Sequence, residues 1–221
     1  MREVIFDTET TGLDPRKHRI VEIGCVELVN SIPTGNEFHS YLRPDDDFMP
    51  AEAFEVHGLS QDFLKDKPRF TEMVSDLLTF IDGARLVAHN ADFDISFLNA
   101  ELARCEYPPV AEEVLDTVRL ARRKYPGSPA NLDALCERFG IDISSRKKHG
   151  ALLDAHLLAE VYIELSGTRQ PALEISVDKQ SPVNVSIHRQ SREARPHDPT
   201  KEELKKHQEF ISSLSDPVWK W

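Results

Sequence analysis

The sequence predicts a mixed α/β domain. Strands gather at the start of the chain, helices follow them, and the periodic part ends in a change of composition near Gly167. Residues Glu3 to Phe6 form a short apolar run that stops at Asp7. Arg19 to Val29 is rich in Ile and Val and reads as a second strand, and Glu37 to Leu42 alternates and reads as a third. Three such runs with short connections predict an antiparallel meander. Phe70 to Ile81 then carries apolar residues at helical spacing, Arg85 to Ala88 is a brief strand, and a helix runs from about Ala91 to Arg104. Thr117 to Lys124 and Asn131 to Phe139 are further helices. The clearest is Gly150 to Leu165, where Leu153, Leu157, Val161 and Leu165 form one stripe.

Composition bounds what such a domain does. A chain of 221 residues holds one well-packed domain with a tail, or two small domains. The net charge of −11 excludes a protein that coats nucleic acid by broad attraction, which needs a basic surface. It leaves room for one that handles a phosphodiester locally, with divalent cations between its carboxylates and the phosphate. Cys25, Cys105 and Cys136 are odd in number, lack a CxxC pair and lie in apolar or helical contexts, so they read as buried free thiols in a reducing compartment. The start, MREVIFDTET, has no signal-peptide core, and no apolar run approaches a membrane span. The expectation is a cytoplasmic protein with no membrane partner.

Three segments follow: a domain over residues 1–168, a flexible linker over 169–198 and a terminal segment over 199–221. The linker reading rests on Pro171, Pro182 and Pro196 among Ser and Gln with little periodicity. Residues 179–221 carry 8 Lys and Arg against 6 Asp and Glu, so the part before them holds −13 of the charge. In the terminal segment, Thr200 to Glu203 has the form of a capping box with Pro199 before it. Leu204, His207, Phe210, Ile211 and Leu214 then share a helix face, Pro217 ends it, and Val218, Trp219 and Trp221 close the chain. A lone helix this short is marginal in water, so it is expected to dock onto another protein; the alternative is that it packs back on its own domain.

Three clusters carry chemistry. Asp7 and Glu9 flank Thr8 where the first apolar run emerges, and residues two apart on a strand point to the same side, so both carboxylates can address one ion. The second cluster is His89-Asn90-Ala-Asp92-Phe93-Asp94, which opens a helix; either Asp92 or Asp94 can simply complement the helix dipole. The third is His149-Gly-Ala-Leu-Leu-Asp154. There Asp154 lies among leucines at a helix start and needs a partner, for which a metal serves. His149 stands just before the helix and can lean towards the same site. Phosphodiester hydrolysis builds negative charge on phosphoryl and leaving oxygens, which divalent ions stabilise. Hard oxygen ligands select Mg²⁺ or Mn²⁺, and a neutral imidazole takes the proton of the attacking water.

DxE, then HNAxFD, then HGALLD, in that order, resembles the DEDD-type 3′–5′ exonucleases, in the subgroup whose last motif carries histidine. The resemblance implies a ribonuclease H-like fold, a mixed sheet flanked by helices. It also implies two divalent cations, Mg²⁺ or Mn²⁺. Asp7 would bridge both ions, Glu9, Asp94 and Asp154 would be the remaining ligands, and His149 the general base. Phe54-Glu-Val-His57-Gly58, Lys67-Pro68, Asn131-Leu-Asp-Ala-Leu-Cys136 and Ala155 to Tyr162 further resemble the epsilon subunits of bacterial DNA polymerase III, over about residues 1–168.

That narrower resemblance implies proofreading, the removal of mispaired 3′ nucleotides from DNA as nucleoside 5′-monophosphates. It places substrate contacts at Glu52 and His57 beside Asp7, Glu9 and Asp154, with His89 and Asn90 near the terminal nucleotide. From the residues alone, His57 reads as a loop histidine. The resemblance implies binding of the polymerase alpha subunit through residues 199–221, and it offers Gln170 to Ile175 as a degenerate sliding-clamp motif. A theta-like partner is left open. The competing readings are a 3′–5′ exoribonuclease for small RNA or tRNA ends and a non-catalytic scaffold linking polymerase and clamp.

Overall fold

The computed structural model describes residues 1–45, 48–144, 148–167 and 198–215. The chain divides into two compact units, Met1–Glu174 and Ile175–Trp221. Of the expected linker, only Asp198 is among the described residues; the segment 170–175 and Pro217, Trp219 and Trp221 lie outside them.

The first unit is built on five strands: β1 (Arg2–Thr10), β2 (Ile20–Val29), β3 (Ile32–Tyr41), β4 (Arg85–Ala88) and β5 (Val114–Asp116), in the order β3-β2-β1-β4-β5. The first three form the expected antiparallel meander, and β4 and β5 add in parallel, which makes the sheet mixed. Asn30 and Ser31 both adopt positive φ, the geometry of a two-residue hairpin turn, and pin β3 to β2. This starts β3 at Ile32 rather than Glu37, because pairing set by the turn carries the strand through Pro33 and Gly35. β1 likewise runs past Phe6 to Thr10, so Asp7 and Glu9 are strand residues. Its register against β2 shifts between Glu9 and Thr10, the kind of irregularity that ends pairing beside functional sites.

Alternation along β1 sorts the core onto both faces of the sheet. Val4 and Phe6 pack with Leu77 and Ile81 of α3 (Phe70–Ile81) and Phe97, Leu98 and Leu102 of α4 (Ala91–Arg104). Ile5 packs with Ala121 of α5 (Thr117–Lys124), Leu135 of α6 (Leu132–Phe139) and Leu158 and Val161 of α7 (Ala151–Ser166). Leu153 is only half-buried, and the inner face of α7 includes Ala155 and Tyr162 instead. The Tyr162 hydroxyl donates to buried Glu3 at 2.6 Å and ties α7 to β1.

Two short helices, α1 (Ala51–His57) and α2 (Gln61–Leu64), lie where the sequence had shown none. His57 and Leu64 are the respective buried residues, so neither helix has an apolar stripe to read. Cys25 and Cys136 are buried free thiols as expected, whereas Cys105, just past the end of α4, is half-buried. Among the described residues no helix is long and apolar enough to cross a membrane.

The second unit contains α8 (Lys201–Ser213), started by Thr200, whose hydroxyl accepts from Glu203 N–H while the Glu203 carboxylate accepts from Thr200 N–H. Leu204, Phe210 and Leu214 are exposed, at 51%, 59% and 41%.

Candidate active site

Three strand ends deliver the site. β1, β4 and β5 run parallel to one another, so Asp7 and Glu9, then His89 and Asn90, then Asp116 emerge at one edge of the sheet. The start of α7 comes over this edge at Gly24, which pairs with Asp7 across the strands. A Cβ on Gly24 would stand 2.3 Å from the Ala151 carbonyl carbon and the Leu152 nitrogen, so only glycine admits this approach. It sets Asp154, in the first turn of α7, beside Asp7.

The groups converge as follows. Glu9, Asp94 and Asp154 are buried, and Asp7 opens partly to the cleft. Thr8, on the opposite side of β1 from Asp7, donates to Asp94 Oδ1 at 2.7 Å. His149 Nδ1 lies 3.4 Å from Asp154 Oδ2, and ligand atoms of Glu9, His149 and Asp154 all fall within 4.8 Å of one another. Burial drives the Asp7 carboxyl well above its ordinary range, with further upward pressure from Asp94, Glu9, Asp154 and Glu22. Burial raises Asp94 to about 7, against hydrogen bonds from Thr8 that pull it down. Crowded hard oxygen donors that resist ionisation together are a set a divalent cation fits, since its charge removes the repulsion.

The cleft, about 250 Å³, is lined by Asp7, His89, Asn131, Asp133, His149 and Asp154. His89 Nδ1 donates to the Thr117 hydroxyl at 2.9 Å, which in turn donates to the Ala88 carbonyl at 3.1 Å. A neighbouring cavity of about 420 Å³ lies along β1 beyond it, with Glu9, Leu13, Glu52, Val56, His57 and Phe93 among its walls. His57 is therefore not a loop residue: it ends α1 and is buried. Its Nδ1 accepts the Leu59 N–H at 3.0 Å, so the proton of the neutral ring sits on Nε2, which is itself buried and faces the Thr10 backbone. Burial, with Lys148 and His149 nearby, lowers its pKa to about 4. Lys148 closes the other end of this arrangement by donating to the Phe54 and Glu55 carbonyls of α1, at 3.2 and 3.0 Å.

The structure thus gathers Asp7, His89, His149 and Asp154 in one cleft and Glu9, Glu52 and His57 in the next, with Asp94 beneath them. Asn90 is set apart: it lines a third cavity, and its backbone, in the left-handed region at φ 67, starts α4. Asp92 is exposed and paired with Arg119 at 2.5 Å, which leaves Asp94 as the inward carboxylate of its motif. Asp133 and Thr8 were not singled out from the sequence. The signal for Asp133 was its place at the start of α6, in a motif already noted for resemblance, and the signal for Thr8 was its position between two carboxylates.

The RNase_T exonuclease family model matches residues 4–162. The chain belongs to this exonuclease family, in its DNA polymerase III epsilon-subunit branch. The DNA polymerase III subunit epsilon of Rickettsia felis is 49% identical over 97% of both chains, and that of Escherichia coli is 47% identical over 75% of this chain and 72% of its own. The zinc-bound complex of E. coli ExoI with single-stranded DNA superposes with a TM-score of 0.68 at 20% identity, over 77% of this chain and 41% of that one, and shares the ribonuclease H-like fold. The chain is a proofreading 3′–5′ exonuclease of this branch; the family uses divalent metals, and Glu9, His149 and Asp154 form a candidate site for one.

Proposed function

We propose that the cleft around Asp7 removes the last nucleotide of a DNA strand as a nucleoside 5′-monophosphate, with Asp7, Glu9, Asp94 and Asp154 holding two Mg²⁺ or Mn²⁺ ions. The observation that carries this reading is the convergence on Asp7 of Asp94, Glu9 and Asp154, which add to the upward push that burial gives its carboxyl. When bound, such ions stabilise the charge on the attacking and leaving oxygens. His149 is the general base: Asp154 faces its Nδ1, which leaves Nε2 to accept the proton of the attacking water. Because His149 is half-exposed, at 49%, it can pass that proton on to solvent.

The terminal nucleotide occupies the cavity beyond Glu9. Leu13, Val56 and Phe93 offer apolar surface to the base, and Glu52 and His57 are polar walls for the sugar and phosphate. With a pKa near 4, His57 stays neutral throughout the physiological range. His89 borders the reacting phosphate, and Asn90 lies one step further along the strand. A mispaired terminus unpairs at lower cost than a paired one and so reaches the site more often.

Residues 199–221 form the docking segment for the polymerase alpha subunit, through the exposed Leu204 and Phe210 of α8. Residues 1–168 are the exonuclease domain and 169–198 the tether, with 170–175 a sliding-clamp contact. The protein works in the bacterial cytoplasm.

The test is a 5′-labelled single-stranded DNA oligonucleotide incubated with the full chain. Shortening from the 3′ end that needs Mg²⁺ or Mn²⁺ and stops with chelator is expected. No shortening, or strong preference for RNA of the same sequence, sinks the proposal. Deletion of 199–221 should abolish alpha binding in a pull-down and spare this activity.

A further inference from the structure

In a chain whose part before residue 179 carries −13, α5 places Arg119, Arg122, Arg123 and Lys124 within eight residues. Its position is fixed by Asp116 at the end of β5, which accepts the Val118 N–H at 2.8 Å and caps the helix. The same carboxylate accepts the Asn90 N–H at 3.1 Å. α5 therefore begins at the edge of the sheet where β1 delivers Asp7. A cavity of about 690 Å³ opens there, and it shares His89 and Asn131 as walls with the Asp7 cleft. Arg119 and Arg122 line it, together with Asn90, Asp92 and Asp116.

The charges in this cavity are not equivalent. Arg119 is occupied, at 2.5 Å from Asp92 and 3.3 Å from Asp116. Arg122, one turn further on, is exposed and has no ion-pair partner among the described residues. Arg119 and Asp92 are themselves 70% and 78% exposed, so their pair is weakly held and can exchange.

We propose that this cavity receives the sugar–phosphate backbone of the substrate strand on the 5′ side of the scissile bond. Arg122 is the phosphate contact, and Arg119 trades Asp92 for a second phosphate. The inference rests on the exonuclease reading above. With the terminal nucleotide in the Glu9–His57 cavity, the strand leaves the Asp7 cleft on its other side, which is the His89–Asn131 side. An acidic protein repels single-stranded DNA over most of its surface, so a local cation on that path sets the affinity for the strand.

The test compares two substrates of the full-length chain in Mg²⁺. One is a short single-stranded DNA oligonucleotide. The other is the 4-nitrophenyl ester of thymidine 5′-monophosphate, in which nitrophenol replaces the upstream strand. Arg122→Ala should raise KM for the oligonucleotide about fivefold and reduce the salt dependence of log KM by about 0.7, the loss expected for one single-strand phosphate contact. The ratio of kcat/KM on oligonucleotide to that on ester should fall accordingly. Arg122→Lys should recover most of the ratio, and Arg123→Ala, outside the cavity on the same helix, should leave it at the wild-type value. The proposal is overturned if Arg122→Ala and Arg123→Ala shift KM alike, or if oligonucleotide and ester lose activity in proportion. Absence of metal-dependent turnover of either substrate by the wild type removes the exonuclease reading itself, and this inference with it.

Discussion

Asp94 and Glu101 sit two turns apart on α4, both buried and both facing the sheet, yet the fold treats them in opposite ways. Glu101 receives Arg19 through two hydrogen bonds at 2.7 and 2.5 Å, Arg104 at 3.2 Å and the Ile20 N–H at 3.3 Å. Arg19 also pairs with Asp45, which Arg69 holds at 2.6 Å. Among the described residues Asp94 receives a single side-chain donor, the Thr8 hydroxyl, and burial pushes it to about 7, with Asp116 adding to the rise. A buried carboxylate needs compensating charge. At Glu101 the chain brings that charge itself. At Asp94 it does not, and the site keeps room for a cation from solution.

Neutralising one member of each pair tests this contrast most strongly. Asp94→Asn keeps the shape and removes the charge, and should lower the Mg²⁺-dependent exonuclease rate by at least about a hundredfold. Its melting temperature in chelator should match or exceed that of the wild type, because a repulsive charge has gone. Arg19→Ala should do the reverse. It should cost about 3 kcal/mol of stability, because Glu101 is left buried with Arg104 as its one remaining cation among the described residues, while activity at a temperature where the variant is folded persists. If Asp94→Asn melts as early as Arg19→Ala, the two carboxylates do not differ in the way argued.

The pH dependence of stability sharpens the same point. The Asp94 carboxyl titrates near 7 in the folded chain and near its ordinary 3.8 when unfolded. Between those values the folded state holds a proton that the unfolded state has released, so stability falls as pH rises from about 4 to 7. Asp7, raised for the same reason, adds to the slope. Glu27 acts in the opposite sense: hydrogen bonds from Thr34, Arg2 and Asn36 lower it to about 2, so its contribution is lost as pH falls from about 4.5 to 2. Chemical denaturation in chelator should therefore show a loss of stability between pH 4 and 7 that Asp94→Asn reduces and saturating Mg²⁺ removes. A flat profile in wild-type protein with chelator would count against the raised carboxyls.

The legible parts of the molecule were those whose pattern is local. The helix at Phe70–Ile81 and the strand at Arg85–Ala88 showed their own periodicity and bounds. The motif residues Asp7, Glu9, Asp94, His149 and Asp154 stood out because each follows an apolar run or stands at a helix start in the sequence. β5 could not be read, since its three residues become a strand only by pairing with β4. α1 was hidden because its exposed residues include Phe54 and Val56, which break any stripe. With α1 unseen, the burial of His57 was unseen too. The seat of α7 on Gly24 depends on a contact between residues more than a hundred positions apart, and no local pattern encodes it.

The smallest expected effect isolates the one side-chain donor to Asp94 among the described residues. Thr8→Val keeps the volume of the side chain and removes the hydroxyl that donates to Asp94 Oδ1. The carboxylate then loses its orientation and part of the stabilisation of its charged form. Half-saturation of the exonuclease rate should need about tenfold more Mg²⁺, the low end for losing an outer hydrogen bond to a metal ligand. The rate at saturating metal should recover to within a few-fold of wild type, because bound cation does for Asp94 what Arg19 does for Glu101. A metal titration of Thr8→Val that never approaches the wild-type rate would mean that the hydroxyl serves the reaction itself rather than the carboxylate. It would then place Thr8 among the groups that meet the substrate, as a wall of the cavity it already shares with Glu9 and His57.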